Sequence, residues 1–253
     1  MSDYDQGLEE EAANDRRGKV LLQAMLGLLV LVGAVAGLYF WHDRYNITSE
    51  ERFEREVAEN KDAATILVPL RTLYPYEYRR LRQETTEAYN LEKEGRVLDR
   101  LPFDFLDGFR KRHAAEALMG GDAESLAFAA AYAALFEEAA KNKGLCEVMF
   151  GNEDKISDPA VVLKQKPFTR MYAAFIALAA SGKKQQIRRE QLKFGDLQAF
   201  WAEVRKLNPK PKYTYPLQPA DRCQQANFTG RAIMAQPEER RIKLMSILLQ
   251  GWR

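Results

Sequence analysis

The sequence predicts an all-α protein, with one N-terminal transmembrane helix followed by a compact multi-helix exported domain. Three observations predict it. Val20 to Trp41 is a run of 22 residues without a charged side chain. Beyond it, apolar residues recur at the three- and four-residue spacing of helices. Two alanine-rich apolar runs, Leu126 to Phe136 and Met171 to Ala180, hold eleven and ten residues. That length suits buried helices and falls short of a bilayer.

A helix over residues 20–41 reaches about 33 Å, enough for a hydrocarbon core of about 30 Å. Gln23 is its only strongly polar side chain, Tyr39 and Trp41 stand at an interfacial position, and Arg16, Arg17 and Lys19 flank the other end. The immediate flank favours a cytoplasmic N-terminus, although Arg44, Arg52 and Arg55 level the wider count. Residues 1–19 then form an acidic cytoplasmic tail, with six acids against three bases. A cleaved signal peptide competes, because Ala34-Val35-Ala36 has the small-x-small form of a cleavage site. Against cleavage, the apolar run continues through Trp41. Both readings export the same domain. Gly33 and Gly37 form a GxxxG pair; glycine is common in membrane helices for no special reason, and a homodimer in which two such helices approach closely through this face is the alternative reading.

Charge divides unevenly along the exported part. Residues 42–182 carry 24 acids and 20 bases, whereas residues 183–253 carry 15 bases and six acids. Lys183, Lys184, Arg188, Arg189 and Lys193 cluster before the Trp201 helix, and Arg240, Arg241 and Lys243 sit on the last one. Shared on one surface, they suit an anionic lipid or an acidic partner. A solvated basic face is the plainer reading, and nucleic acid is not an expected partner of an exported domain.

The two cysteines, Cys146 and Cys223, are 77 positions apart. That spacing excludes a CxxC motif and a zinc cluster but suits one disulfide in an oxidising compartment. Closing so long a loop stabilises a fold by about 4 to 5 kcal/mol in the chain-entropy model. Asn46-Ile47-Thr48 and Asn227-Phe228-Thr229 match the short glycosylation pattern, which matters only in a pathway that glycosylates.

Within the exported part, Thr48 and Glu51 form a capping box that opens a membrane-proximal helix within residues 42–70. Phe53, Val57, Asn60, Ala64 and Leu67 give it one seam, and Pro69 ends it. The remainder, residues 71–253, is the main helical domain. Pro75 opens a second helix with Tyr78, Leu81, Thr85 and Tyr89 on one face, interrupted at Gly95. A third runs from Pro102 to Met119 and stops at Gly120-Gly121. Asp122 caps the first alanine-rich helix, Pro167 precedes the second, and Gly182 follows it. Between them, residues 146–166 read as a connection with a turn at Ser157-Asp158-Pro159. Asp196 caps a helix bearing Leu197, Phe200, Trp201, Val204 and Leu207, which Asn208-Pro209 stops. Residues 209–219 hold four prolines and read as an extended connector. The last helix runs from Pro237 to Gln250, with Ile242, Met245, Leu248 and Leu249 on one side.

Catalytic signals are sparse. His42 and His113 are the only histidines, and no nucleophile elbow, HExxH, EF-hand loop or phosphate-binding glycine loop occurs. Nothing calls for a cofactor or metal. Paired carboxylates that would cleave glycans have no spacing signature, so Glu124, Glu137 and Glu138 are candidates by position alone. The expected function is a single-pass envelope protein of a bacterial inner membrane whose periplasmic domain acts as a scaffold for other envelope proteins. The alternative is a membrane-anchored enzyme acting on envelope glycan or peptidoglycan.

Overall fold

The computed structural model describes residues 25, 28–39, 47–92, 95–100, 103–150, 165–190, 192–208 and 218–250. Every regular element among them is helical. The chain forms two compact units, residues 1–48 and 49–253.

In the first unit, residues 28–39 are helical and present their large apolar side chains outward, Leu29 at 68% and Val30 at 70% exposure. Among the described residues no helix is long and apolar enough to cross a membrane. The rest of the expected 20–41 span, apart from Met25, lies outside the described residues.

The second unit begins with α1 (Ser49–Glu59), directly after the Thr48 of the expected capping box. The single seam expected through Asn60 is corrected. Asn60 leaves the helical region, and its Oδ1 accepts the Asp62 and Ala63 backbone N–H groups at 3.1 Å each. It thereby caps a separate helix, α2 (Lys61–Leu73). Pro69 does not end that helix but sits inside it, where it returns no hydrogen bond to the carbonyl four residues back. Next come α3 (Pro75–Glu92) and a 3-10 turn, Val97–Arg100. The carboxylate of Glu56, on α1, accepts the N–H groups of Val97 (3.2 Å) and Leu98 (2.9 Å), satisfying the orphan donors at the start of that turn.

Helix α4 (Phe103–Leu118) and α5 (Asp122–Ala139) follow the expected breaks. Gly121 rather than Asp122 occupies the N-cap of α5, and Asp122 is its first helical residue. The 146–166 connection is corrected at its start: Cys146 lies in α6 (Lys143–Phe150), while the Ser157-Asp158-Pro159 turn lies outside the described residues.

Helix α7 (Lys166–Gln185) is the centre of the domain and packs on α2, α4 and α5. Phe175 meets Phe109 of α4 and Phe128 of α5 edge to face, at centroid distances of 6.2 and 5.9 Å. Each such buried ring contributes about 1.5 to 3 kcal/mol through desolvation. Gly182 does not stop α7. The helix runs on to Gln185 and ends at Gln186, which takes the left-handed conformation (φ 53°). Gly182 instead lets α7 cross α4, since a Cβ there would lie 1.7 Å from the Glu116 carbonyl oxygen.

Helix α8 (Phe194–Leu207) has Lys193 at its N-cap, leaving Asp196 in the first turn, and buries Phe200 and Val204. Of the proline-rich connector, residues 209–217 lie outside the described residues, and Pro219 begins α9 (Pro219–Met234), a helix the sequence reading lacked. It opens on a Gln218/Asp221 capping box and crosses α5 at Gly230, where a Cβ would lie 3.0 Å from the Ala133 Cα. Helix α10 (Glu238–Gln250) packs on α5 and α4 through Leu244, Met245, Leu248 and Leu249.

Candidate functional site

Where the end of α4 meets the segment after α7, the start of α8 and α10, the domain holds a half-open cleft of about 500 Å3. Its walls are mainly apolar, with Met119, Ile187, Leu192, Leu197, Ile242 and Leu249 among them. Size and lining fit a small-ligand site. The wall carrying Ile187 is not helical. The Ile187 N–H bonds to the Met119 carbonyl at 3.0 Å, and Arg189 completes the attachment. The Arg189 guanidinium donates to the Leu118 carbonyl (3.2 Å), to the Gly120 carbonyl, and to the Asp122 carboxylate at 2.7 Å. It thus satisfies carbonyls that the end of α4 leaves without helical donors.

The eight basic residues singled out by the sequence divide in their surroundings. Arg188, Arg189 and Lys243 line the cleft, together with Glu190. Arg188 is exposed and makes no ion pair among the described residues. Lys243 pairs with Glu239 at 3.1 Å, and that bond, then the charges of Glu239, Glu190 and Asp196, raise its pKa. Lys193 lies 3.8 Å from Glu190. Arg241 donates to the Gln236 carbonyl at 3.0 Å. Lys183 is elsewhere, its Nζ 5.8 Å from the centre of the Tyr74 ring. Lys184 is exposed and Arg240 half-buried.

A second polar constellation joins α3 to α4 and surrounds His113. Its Nδ1 lies 2.7 Å from Glu116 and its Nε2 3.4 Å from Glu77. Tyr74 and Phe109 cover the imidazole at centroid distances of 4.6 and 4.4 Å. The Tyr74 hydroxyl donates to Glu116 at 2.9 Å, and burial followed by that carboxylate pushes its pKa up. Arg112 grips Glu77 with two hydrogen bonds, of 3.1 and 2.8 Å. Burial works to raise the Glu77 pKa, but Arg112, His113 and Arg80 together hold it below the ordinary value. Both ring nitrogens of His113 face carboxylates and Cys146 is paired elsewhere, so neither forms the Cys-His arrangement of a nucleophilic site. The cluster acts as an ion-pair staple between helices.

Cys146 on α6 and Cys223 on α9 lie at disulfide distance, with S–S 2.03 Å and Cα–Cα 5.9 Å, and both are buried. Gly33 and Gly37 lie in the 28–39 helix, and a Cβ at either would meet nothing within 4 Å. Of the glycan-cleavage candidates, Glu137 is exposed and pairs with Lys141 at 2.9 Å, Glu138 is exposed, and Glu124 is half-buried at the start of α5. Asn46 lies outside the described residues. Asn227 and Thr229 lie within α9, half-buried and buried, which is unsuited to a glycan acceptor. Among the described residues no group of three or more His, Cys, Asp or Glu side chains is placed to hold a metal ion.

The sequence carries no signal for the cleft itself, because its walls come from five segments, from the end of α4 at Ala117 to Leu249 of α10. Ile187 and Leu192 belong to no periodic pattern. The class these features define is an all-α domain with an apolar cleft and one cysteine cross-link. Compared with known protein families, curated proteins and solved structures, the chain matches none.

Proposed function

We propose that this chain is a single-pass envelope protein whose helical domain binds other envelope proteins as a scaffold. The reading places residues 1–19 in the cytoplasm, residues 20–41 across a bacterial inner membrane, and the helical domain in the periplasm. The observation that carries a binding role is the half-open apolar cleft of about 500 Å3, with Arg188 exposed on its lining. Anchoring is supported by the uncharged run of 22 residues and by the outward apolar side chains of its described helical part. An oxidising compartment is supported by the Cys146–Cys223 pair.

Affinity purification of the full chain from native membranes tests the binding role. Recurrent co-purified envelope proteins are expected, and their absence would remove the scaffold reading. A parallel incubation with peptidoglycan and glycan fragments is expected to leave them intact. Reproducible bond cleavage would establish the enzymatic alternative instead. A reporter active only after export, fused to the C-terminus, is expected to be active.

A further inference from the structure

We infer that the cleft between α4, the segment after α7, α8 and α10 binds a single acyl chain that ends in an anionic head. The inference rests on the premise that this cleft is a binding site and goes beyond the scaffold reading, since it gives the cleft a lipid occupant and leaves protein contacts to the rest of the domain surface.

The walls suit an aliphatic chain. Met119, Ile187, Leu192, Ile242 and Leu249 come from three separate segments yet line one space of about 500 Å3. The segment bearing Ile187 is fastened to the end of α4 by the Ile187–Met119 backbone bond and the Arg189 contacts. A half-open apolar cleft exposed to water is costly, and an aliphatic chain removes that apolar surface without asking for hydrogen bonds.

The charges on the lining suit an anionic head. The lining holds three cations, Arg188, Arg189 and Lys243, against one anion, Glu190. Arg189 is committed to Asp122 and to carbonyls, and Lys243 to Glu239. Arg188 alone of the three has no ion pair among the described residues, and it is exposed. An occupant with an apolar tail and one negative group therefore matches both the walls and Arg188. A carboxylate and a phosphate share this chemistry, so a free fatty acid and a lysophospholipid are two sources of one ligand class.

Membranes containing the full chain would be incubated with three photoreactive C16 probes: a diazirine palmitic acid, the corresponding lysophosphatidylglycerol, and the neutral diazirine alcohol. Adducts would then be mapped by peptide. Labelling by one or both anionic probes is expected on peptides carrying Ile187 and Ile242 to Leu249, and the probe that labels more identifies the source. Ser246→Trp, which fills the cleft, is expected to abolish these adducts while leaving those on residues 20–41. Arg188→Glu, a surface change, is expected to reduce anionic labelling about two- to fivefold, the size of one exposed charge contact. Label confined to residues 20–41, cleft label unchanged in both variants, or equal label from the neutral alcohol would overturn the inference. Recurrent protein partners found without cleft labelling would leave the scaffold reading standing and remove this one.

Discussion

Arg189 reaches across 67 positions to Asp122, placing its Nη2 2.7 Å from the carboxylate, and in the same posture donates to the Leu118 and Gly120 carbonyls. One side chain therefore joins the segment after α7 to the α4–α5 junction. Arg189→Ala is expected to lower unfolding free energy by about 1 to 3 kcal/mol, because it leaves carbonyls and a carboxylate without their donor. Arg188→Ala, on the neighbouring exposed residue, is expected to stay within about 0.5 kcal/mol. Denaturant unfolding of both variants checks this, and equal effects would show that Arg189 has no bracing role.

Gly182 is a packing requirement. A Cβ at this position would sit 1.7 Å from the Glu116 carbonyl oxygen and 2.9 Å from the Gly120 nitrogen, and backbone atoms yield less than a side-chain tip. Gly182→Ala is expected to destabilise by about 3 kcal/mol or more, against the usual helix preference for alanine. Gly195→Ala, where nothing lies within 4 Å, serves as the control and is expected to be neutral or mildly stabilising. Thermal unfolding of the two variants distinguishes them.

The Cys146–Cys223 pair ties α6 to α9 across 77 positions. Non-reducing peptide mapping of protein taken from its native compartment is expected to recover the linked peptides. Cys146→Ser is expected to cost about 2 to 5 kcal/mol of stability without preventing membrane insertion. Two free thiols in the native compartment would contradict both the bond and the oxidising setting.

The staple around Glu77 predicts a pH dependence with a definite sign. Its carboxyl is held below the ordinary value of 4.5, and Asp107, gripped by Arg110 and Lys111 against the effect of burial, below 3.8. A depressed folded-state pKa contributes stability that is full above the unfolded value and lost as pH falls through the folded one. Glu77→Gln is therefore expected to be destabilising at pH 7, by about 1 to 2 kcal/mol, with a penalty that shrinks as pH falls below 4.5 and through the depressed folded-state value. Denaturant midpoints of wild type and variant across that range provide the check, and a penalty independent of pH would sink the assignment.

Much of the fold was legible because helices announce themselves locally. The faces of α3 and α10, the breaks at Gly95 and Gly120-Gly121, and both alanine-rich core helices follow from spacing, proline and glycine. Where the structure departs from the sequence pattern, the side chain or its absence serves another contact. Asn60 fits an apolar seam by register, yet its short amide prefers to cap. Gly182 looks like a stop, yet its missing side chain serves a crossing that only tertiary structure reveals. Helix α9 was readable from Gln218, Pro219 and Asp221 but was hidden behind a proline-rich stretch. The cleft and the His113 staple depend on contacts between distant segments, for which a single sequence carries no periodic signal.

The proposed role of the helical domain, a tethered binding module outside the cytoplasm, is open to a direct test. Phe194, 74% exposed at the start of α8, lies between the cleft residues Leu192 and Leu197 in sequence. A photo-crosslinking amino acid placed at this position in the full chain, in living cells, is the most direct measurement. Recurrent adducts with periplasmic or inner-membrane proteins are expected, and adducts with cytoplasmic proteins, or none above an unirradiated control, would contradict a tethered binding role outside the cytoplasm.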